Sequence, residues 1–170
     1  MNFKDALEKV ENSEEYKTFK SSHPEAKICA GFFIQDFLSN DSKDSIDYKD
    51  NDKIFTFNII NEEIKMYEDE LMDLPNTPKL QPLLSPEIKT EVNELKEIAQ
   101  DKAHEEGIGA KFNKIIAVLQ THEEEGKKSQ IWNLTCMLDQ LIILHMLIDC
   151  NSGEILKFQR KSFMDMVKTK

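Results

Sequence analysis

The sequence predicts an α+β fold made of two copies of one unit, a helix plus a three- or four-stranded antiparallel sheet, with the helices packed on the sheet faces. Three observations support this prediction. The chain has only five glycines and five prolines in 170 residues, which favours long regular elements. Helix-like and strand-like segments follow one another in the same order in both halves. A proline-rich stretch separates the halves.

The first half is predicted to contain one helix and three or four strands. Its segments are a helix over 3–20, a strand over 26–37, an acidic loop over 40–52 with a short strand near 46–48, and a hairpin of 53–60 and 64–70. An apolar stripe among charged residues indicates the helix. The helix ends before Pro24, because the residue before a proline avoids the helical region.

The second half follows a linker over 73–82 that holds three of the five prolines. Its predicted segments are a helix from Ser85 to about Glu106, a strand over 110–120, a hairpin of 130–138 and 141–149, a strand over 154–158, and a short basic helix with Phe163, Met164 and Val167 on one side. Ser85 and Pro86 are typical of the first residues of a helix. Gly107 is expected to end the helix.

The two halves show a weak internal similarity. When the hairpins are aligned, Phe55 falls on Trp132 and Phe57 on Leu134. We interpret this as a diverged tandem duplication, and chance similarity between hairpins is the alternative. The predicted organisation is a first unit over 1–74, a linker over 75–84 and a second unit over 85–170, or else one compact domain.

The hairpin of 130–149 is apolar on both faces, so each face is expected to be covered by another part of the structure. One cover is the preceding helix, and the other is the first half, the C-terminal helix or a second copy of the protein. If Asp139 and Gln140 form the tip, one face carries the candidate ligand or interface residues, which are Trp132, Leu134, Ile143, His145 and Leu147.

The segment from Asp149 to Glu154 is typical of a turn, although its two carboxylates are also a candidate pair. The tryptophan-bearing strand, the apolar strand and "IDCNSGEIL" together resemble the PepSY module. The match falls on Ile148, Asp149, Ser152, Gly153, Glu154 and Ile155. The first half matches only as a degenerate copy, with "YEDELMDL" at the equivalent place.

The PepSY resemblance covers about 110–158 and implies a helix packed on an antiparallel sheet. It also implies peptidase inhibition or regulation, mostly in secreted or membrane proteins. The chain as a whole resembles small uncharacterised archaeal proteins with a similar "IIAVLQ…WNLT…ID" ending.

Composition and spacing exclude several functions. A net charge of −10 argues against nucleic-acid binding. No signal core and no apolar stretch of roughly 18–20 residues occurs, so we expect a cytoplasmic protein that does not cross a membrane. The three cysteines are expected to be reduced core thiols. No cofactor motif is present. A zinc site of His145, Cys136 and Cys150 has suitable atoms, but Cys150 is predicted to face away from His145.

The sequence therefore favours a non-catalytic intracellular binding or regulatory module. Its expected partner is a protein, a peptide or a second copy of the chain, bound through a sheet face. The alternative is a carrier of a small or lipid-like ligand, with a pocket between helix and sheet near Trp132 and His145. An enzyme of unknown type is the third hypothesis.

Overall fold

The structure, a computed structural model, describes residues 1–70 and 80–162. Its main feature is one continuous antiparallel sheet of eight strands in the order β4-β3-β2-β1-β5-β6-β7-β8. The prediction of duplicated units, each with its own small sheet, is therefore wrong. The finding that overturns it is the pairing of β1 with β5, which joins all the strands into a single sheet.

The helices are α1 (Phe3–Glu11), α2 (Glu14–Ser22) and α3 (Val92–Glu105). The strands are β1 (Lys27–Asp36), β2 (Asp41–Asp50), β3 (Lys53–Ile60), β4 (Glu63–Glu70), β5 (Phe112–Glu124), β6 (Lys127–Leu138), β7 (Ile142–Asp149) and β8 (Ile155–Ser162). The strands predicted over 26–37 and 110–120 and the hairpin of 53–70 are confirmed. Residues 73–79 of the predicted linker lie outside the described residues, and so does the predicted C-terminal helix with Phe163, Met164 and Val167.

The single N-terminal helix predicted over 3–20 is divided into α1 and α2. Asn12 caps the end of α1, and the Ser13 side chain accepts a hydrogen bond from the Tyr16 amide at the start of α2. A serine in this position competes with helix continuation, because its oxygen satisfies a free amide of the new first turn. Because of this division, α2 can run in a different direction from α1 across the sheet.

Helix α3 begins at Val92, not at the predicted Ser85. Glu91 is its N-cap, and the Glu91 and Glu94 side chains form a capping box. The Glu91 carboxylate also accepts a hydrogen bond of 2.7 Å from the Phe3 amide, so it joins the starts of α3 and α1. Ser85 lies before the helix, where its amide donates to the side chain of Gln130.

The core lies between the sheet and one layer of helices. Phe33 of β1 contacts the ring of Phe3 from α1 and the ring of Trp132 from β6. Phe19 of α2 packs edge-on against Phe57 of β3 in the same layer. These contacts place the helices on one face of the sheet, which we call the helix face.

The polar segment predicted as a loop over 40–52 forms the ten-residue strand β2. It pairs with β1 on one side and β3 on the other. Ile46 and Tyr48 alternate onto the helix face and are buried. The acidic residues around them hid this period of two, and pairing on both sides overrides their low strand propensity.

No helix in the described part of the chain is long and apolar enough to cross a membrane. Cys29, Cys136 and Cys150 are buried and form no disulfide with one another, which confirms their predicted place in the core.

Candidate interaction surface

The face of the sheet opposite the helices carries a row of side chains set by the strand register. Phe32 lies opposite Val118, Val118 opposite Asn133, and Asn133 opposite Leu147. Directly opposed residues project to the same side of a sheet. Phe33, the neighbour of Phe32, contacts the core rings, so Phe32 and its row lie on the other side.

A second row runs parallel to the first. It joins Ile34, Ile116, Thr135 and His145 across strands β1, β5, β6 and β7. We call the surface formed by both rows and Ile143 the open face. Its residues are Phe32, Ile34, Ile116, Val118, Asn133, Thr135, Ile143, His145 and Leu147. No helix of residues 1–70 or 80–162 packs on it.

The open face is mainly apolar, and its apolar side chains other than Leu147 are only partly shielded from solvent. Phe32, Ile34, Ile116 and Val118 are each half-buried, whereas the apolar side chains of the helix face are almost completely buried. Met137, which lies two residues after Thr135 on the same face of β6, is 37% exposed. An apolar surface of this kind is typical of an interaction site, because covering it removes apolar area from water.

A polar pair lies within this apolar surface. Nε2 of His145 is 2.7 Å from Oδ1 of Asn133, to which it donates a hydrogen bond. Burial lowers the pKa of His145 below its ordinary value, and the positive charges of Lys161 and Lys157 lower it further. The ring is therefore neutral at pH 7, and the pair presents an oriented polar group without a net charge.

The structure separates the five candidate residues that the sequence had grouped. The predicted tip of two residues is a three-residue turn, Asp139–Leu141, with positive φ at Gln140 and Leu141. One additional residue in the turn shifts the partner strand by one position and reverses the face of every side chain on it. Trp132 therefore lies opposite Ile148, not opposite Leu147.

Trp132 and Leu134 consequently belong to the core, and both are 0% exposed. The indole N–H of Trp132 donates a hydrogen bond of 2.8 Å to the carbonyl of Thr90. Ile143, His145 and Leu147 lie on the open face, on the other side of the sheet. A pocket between helix and sheet cannot include both Trp132 and His145.

The zinc ligands considered from the sequence are separated in the same way. Cys136 lies opposite Leu144 on the helix face, whereas His145 lies on the open face. Burial raises the pKa of the Cys136 thiol to about 12, so it stays protonated. Within the described ranges, no three His, Cys, Asp or Glu side chains form a cluster that could hold a metal ion.

The segment after β7 forms the turn that its composition predicted. One carboxylate oxygen of Asp149 accepts hydrogen bonds from the amides of Asn151 and Ser152. These bonds hold the pKa of Asp149 below its usual range, and the bond from the Ser152 amide has the largest effect. Gly153 has a φ of 75°, and its amide donates to the Asp149 carbonyl. The geometry supports a structural role for Asp149.

Sequence reasoning missed the contribution of β1 and β5 to the open face. Their signal was present: "GFFI" and "IIAV" are continuous apolar runs, which are typical of strands in contact with apolar groups on both sides. The hairpin of β6 and β7 shows the same pattern. Over all four strands, this pattern predicts an apolar patch that crosses the centre of the sheet.

Comparison with known proteins adds information on the fold alone. No protein-family model matches the chain, so the similarity to the PepSY module stays a resemblance. No curated protein matches it either. Among solved structures, the chain is similar to a crystal structure named "putative lipoprotein" from Clostridium difficile 630. The TM-score is 0.57 at 14% sequence identity, and the match covers 87% of this chain and 91% of that one.

Proposed function

We propose that the protein is a non-catalytic binding or regulatory module that docks a protein or peptide through the open face. The observation that carries this proposal is the half-buried apolar centre of that face, formed by Phe32, Ile34, Ile116 and Val118. Strands apolar on both sides are expected in a sheet covered on both sides. The helices described cover one side, and a partner supplies the second cover.

The shape of the open face favours a macromolecular partner over a small ligand. Its side chains come from four adjacent strands of one sheet, so they form a broad surface. Small ligands are normally held in concave sites that bury most of their surface. The carrier hypothesis required a pocket shared by Trp132 and His145, and these two residues lie on opposite sides of the sheet. The predicted cytoplasmic location stays a prediction from the sequence.

The test is peptide selection against the intact protein, followed by affinity measurements on variants. Val118→Glu places a charge at the centre of the open face. Ile60→Glu makes the same apolar-to-acid change at an exposed site on β3, and Ile60 is 44% exposed. We expect peptides selected on the wild-type protein to bind Val118→Glu at least about tenfold more weakly and Ile60→Glu with little change.

Val118→Thr is the second variant, because it keeps the shape of the side chain and should fold normally. It is expected to give a smaller loss in the same direction. Equal binding by the wild-type protein and both Val118 variants contradicts the proposal. Light scattering on the same samples identifies a second copy as the partner if a dimer dissociates in Val118→Glu and persists in Ile60→Glu.

A further inference from the structure

Strand β8 is a basic edge on an acidic protein. The whole chain carries a net charge of −10, yet Ile155–Ser162 contains Lys157, Arg160 and Lys161 and no acidic residue. All three basic side chains are exposed. In the described ranges none of the three takes part in an ion pair. Their charge is therefore available to a partner.

The position of β8 leaves one side of its backbone open. It is the last strand in the sheet order and pairs with β7. Along the described part of the chain no strand pairs with its outer side. An edge of this kind can accept an extended peptide as an additional strand, which is a common mode of peptide recognition.

The register connects this edge with the open face. Lys157 lies opposite Leu147, and Lys161 lies opposite Ile143, with Gln159 between them opposite His145. The two lysines therefore border the apolar surface on the same side of the sheet. Their charge also reaches that surface, since Lys161 and Lys157 contribute to the lowered pKa of His145.

Charged edges can also serve only to prevent pairing between copies of a protein. That explanation fits best when both edges carry the same sign. Here the opposite edge, β4, carries Glu63, Glu68 and Asp69 against Lys65. Edges of opposite sign do not repel each other, so the basic residues of β8 oppose pairing between two β8 edges but do not oppose pairing of β8 with an acidic strand.

The β4 edge of a second copy is nevertheless a poor match for β8. Lys157 and Lys161 are four residues apart on one face, so their best partners are two carboxylates with the same spacing. Between Glu63 and Glu70 no two acidic residues are four apart. Glu68 is in addition 2.9 Å from Lys53 in an ion pair within the chain. The charge pattern points to a different protein.

We infer that the β8 edge binds an extended acidic segment of the partner as a ninth strand, with two carboxylates four residues apart facing Lys157 and Lys161. This inference rests on the proposed function and names the chemistry of the partner. The segment adds main-chain hydrogen bonds along β8, and the rest of the partner covers the open face beside it.

The test uses a labelled octapeptide, TVEVTVEV, whose two glutamates have the required spacing. The control peptide TVQVTVQV keeps the shape and removes the charge. Binding is measured by fluorescence anisotropy on the full chain at low and at physiological salt. We expect the glutamate peptide to bind at least about tenfold more tightly than the glutamine peptide, with the difference reduced by salt.

The protein variant is the double substitution Lys157→Glu with Lys161→Glu, and Lys157→Gln with Lys161→Gln is the milder form. Lys89→Glu with Lys111→Glu is the matched control, because both lysines are exposed and the net charge changes equally. We expect the β8 variants to lose at least about tenfold in affinity for the glutamate peptide. The control should stay within about twofold.

Three results of the binding assays overturn the inference. They are equal binding of the glutamate and glutamine peptides, no binding of either peptide up to about 1 mM, and equal losses in the β8 variant and its control. Salt-sensitive oligomers that disappear in the β8 variant also overturn it, because they assign the edge to a second copy. If selected peptides still depend on Val118 while the octapeptides fail, the proposed function stands and the inference about β8 does not.

Discussion

The Trp132→Ala substitution tests whether this residue belongs to the core or to an interface. The side chain is 0% exposed, and its ring packs edge-on against Phe33 with 5.7 Å between ring centroids. Truncation of a buried aromatic side chain to alanine costs about 3–5 kcal/mol, from lost transfer energy and the cavity that remains. The carbonyl of Thr90 also loses the indole N–H that donates to it at 2.8 Å, which costs about 1 kcal/mol or more. We therefore expect the upper part of the range, about 4–5 kcal/mol.

The assay is equilibrium unfolding in urea, followed by far-ultraviolet circular dichroism. Tryptophan fluorescence cannot serve as the probe, because Trp132 is the only tryptophan. Trp132→Phe is the control, since it retains an aromatic ring in the core and removes only the hydrogen bond and part of the volume. Its expected cost is about 1–2 kcal/mol.

A loss below about 1 kcal/mol for Trp132→Ala would refute the assignment of Trp132 to the core. A small loss together with a change in oligomeric state would place the residue at an interface instead. Equal losses for the alanine and phenylalanine variants would show that the hydrogen bond to Thr90 dominates and that ring packing contributes little.

Three further predictions concern two turns and a half-buried carboxylate. Asp149→Ala should lower the free energy of unfolding by about 1 kcal/mol at pH 7. The pKa of Asp149 is depressed in the folded protein, so its contribution to stability is present above the unfolded pKa near about 4. This contribution is lost as pH falls through the folded pKa. Urea titrations at pH 7 and at acidic pH should therefore show that the difference in stability between variant and wild type vanishes in acid. Gly153→Ala and Gly126→Ala both place a side chain at positive φ, for a cost of about 1–2 kcal/mol each. A Cβ on Gly153 lies 3.3 Å from the Thr90 hydroxyl oxygen, whereas a Cβ on Gly126 meets nothing within 4 Å. Thermal unfolding should therefore show the larger loss of stability for Gly153→Ala. Asp47→Asn should raise the free energy of unfolding at pH 7 by up to about 1 kcal/mol. Burial raises the pKa of Asp47, so its ionised form destabilises the fold above that pKa, and the advantage of the variant should shrink as pH falls through the raised pKa. An unchanged or lower stability of the variant at pH 7 would contradict this reasoning.

The elements of the fold that have strong local signals were predictable from the sequence. The apolar runs of β1, β5, β6 and β7 identify strands, and the turn at Asp149 follows from its composition. Strand β2 was not predictable in the same way, because its residues are mostly polar and its pairing with β1 and β3 depends on tertiary context. The pairing of β1 with β5 is also invisible locally, since it joins segments far apart in the sequence.

The candidate surface depended on a single residue in a turn. The sequence identified the correct hairpin and its two apolar faces, but Leu141 belongs to the turn and not to the strand. Since side chains alternate along a strand, this one residue decided whether His145 would lie beside Trp132 or on the opposite side. Asp-Gln is a weak turn signal, so sequence patterns do not fix the length of this turn.

The position of the apolar residues on the two sides of the sheet connects the proposed function with the inference about β8. On the helix face the strands are covered within the chain, as the complete burial of Trp132 and Phe33 shows. On the open face the same strands carry half-buried apolar side chains, and the register places these beside a free edge of opposite charge to the protein as a whole. An interface of standard size buries about 800 Å² on each partner, which is more than one added strand provides. A partner that pairs with β8 and also covers the centre of the open face satisfies both features. The variants at Val118 and at Lys157 and Lys161 can therefore be combined in a double-mutant cycle: additive losses indicate separate sites, and coupled losses indicate one partner that contacts both.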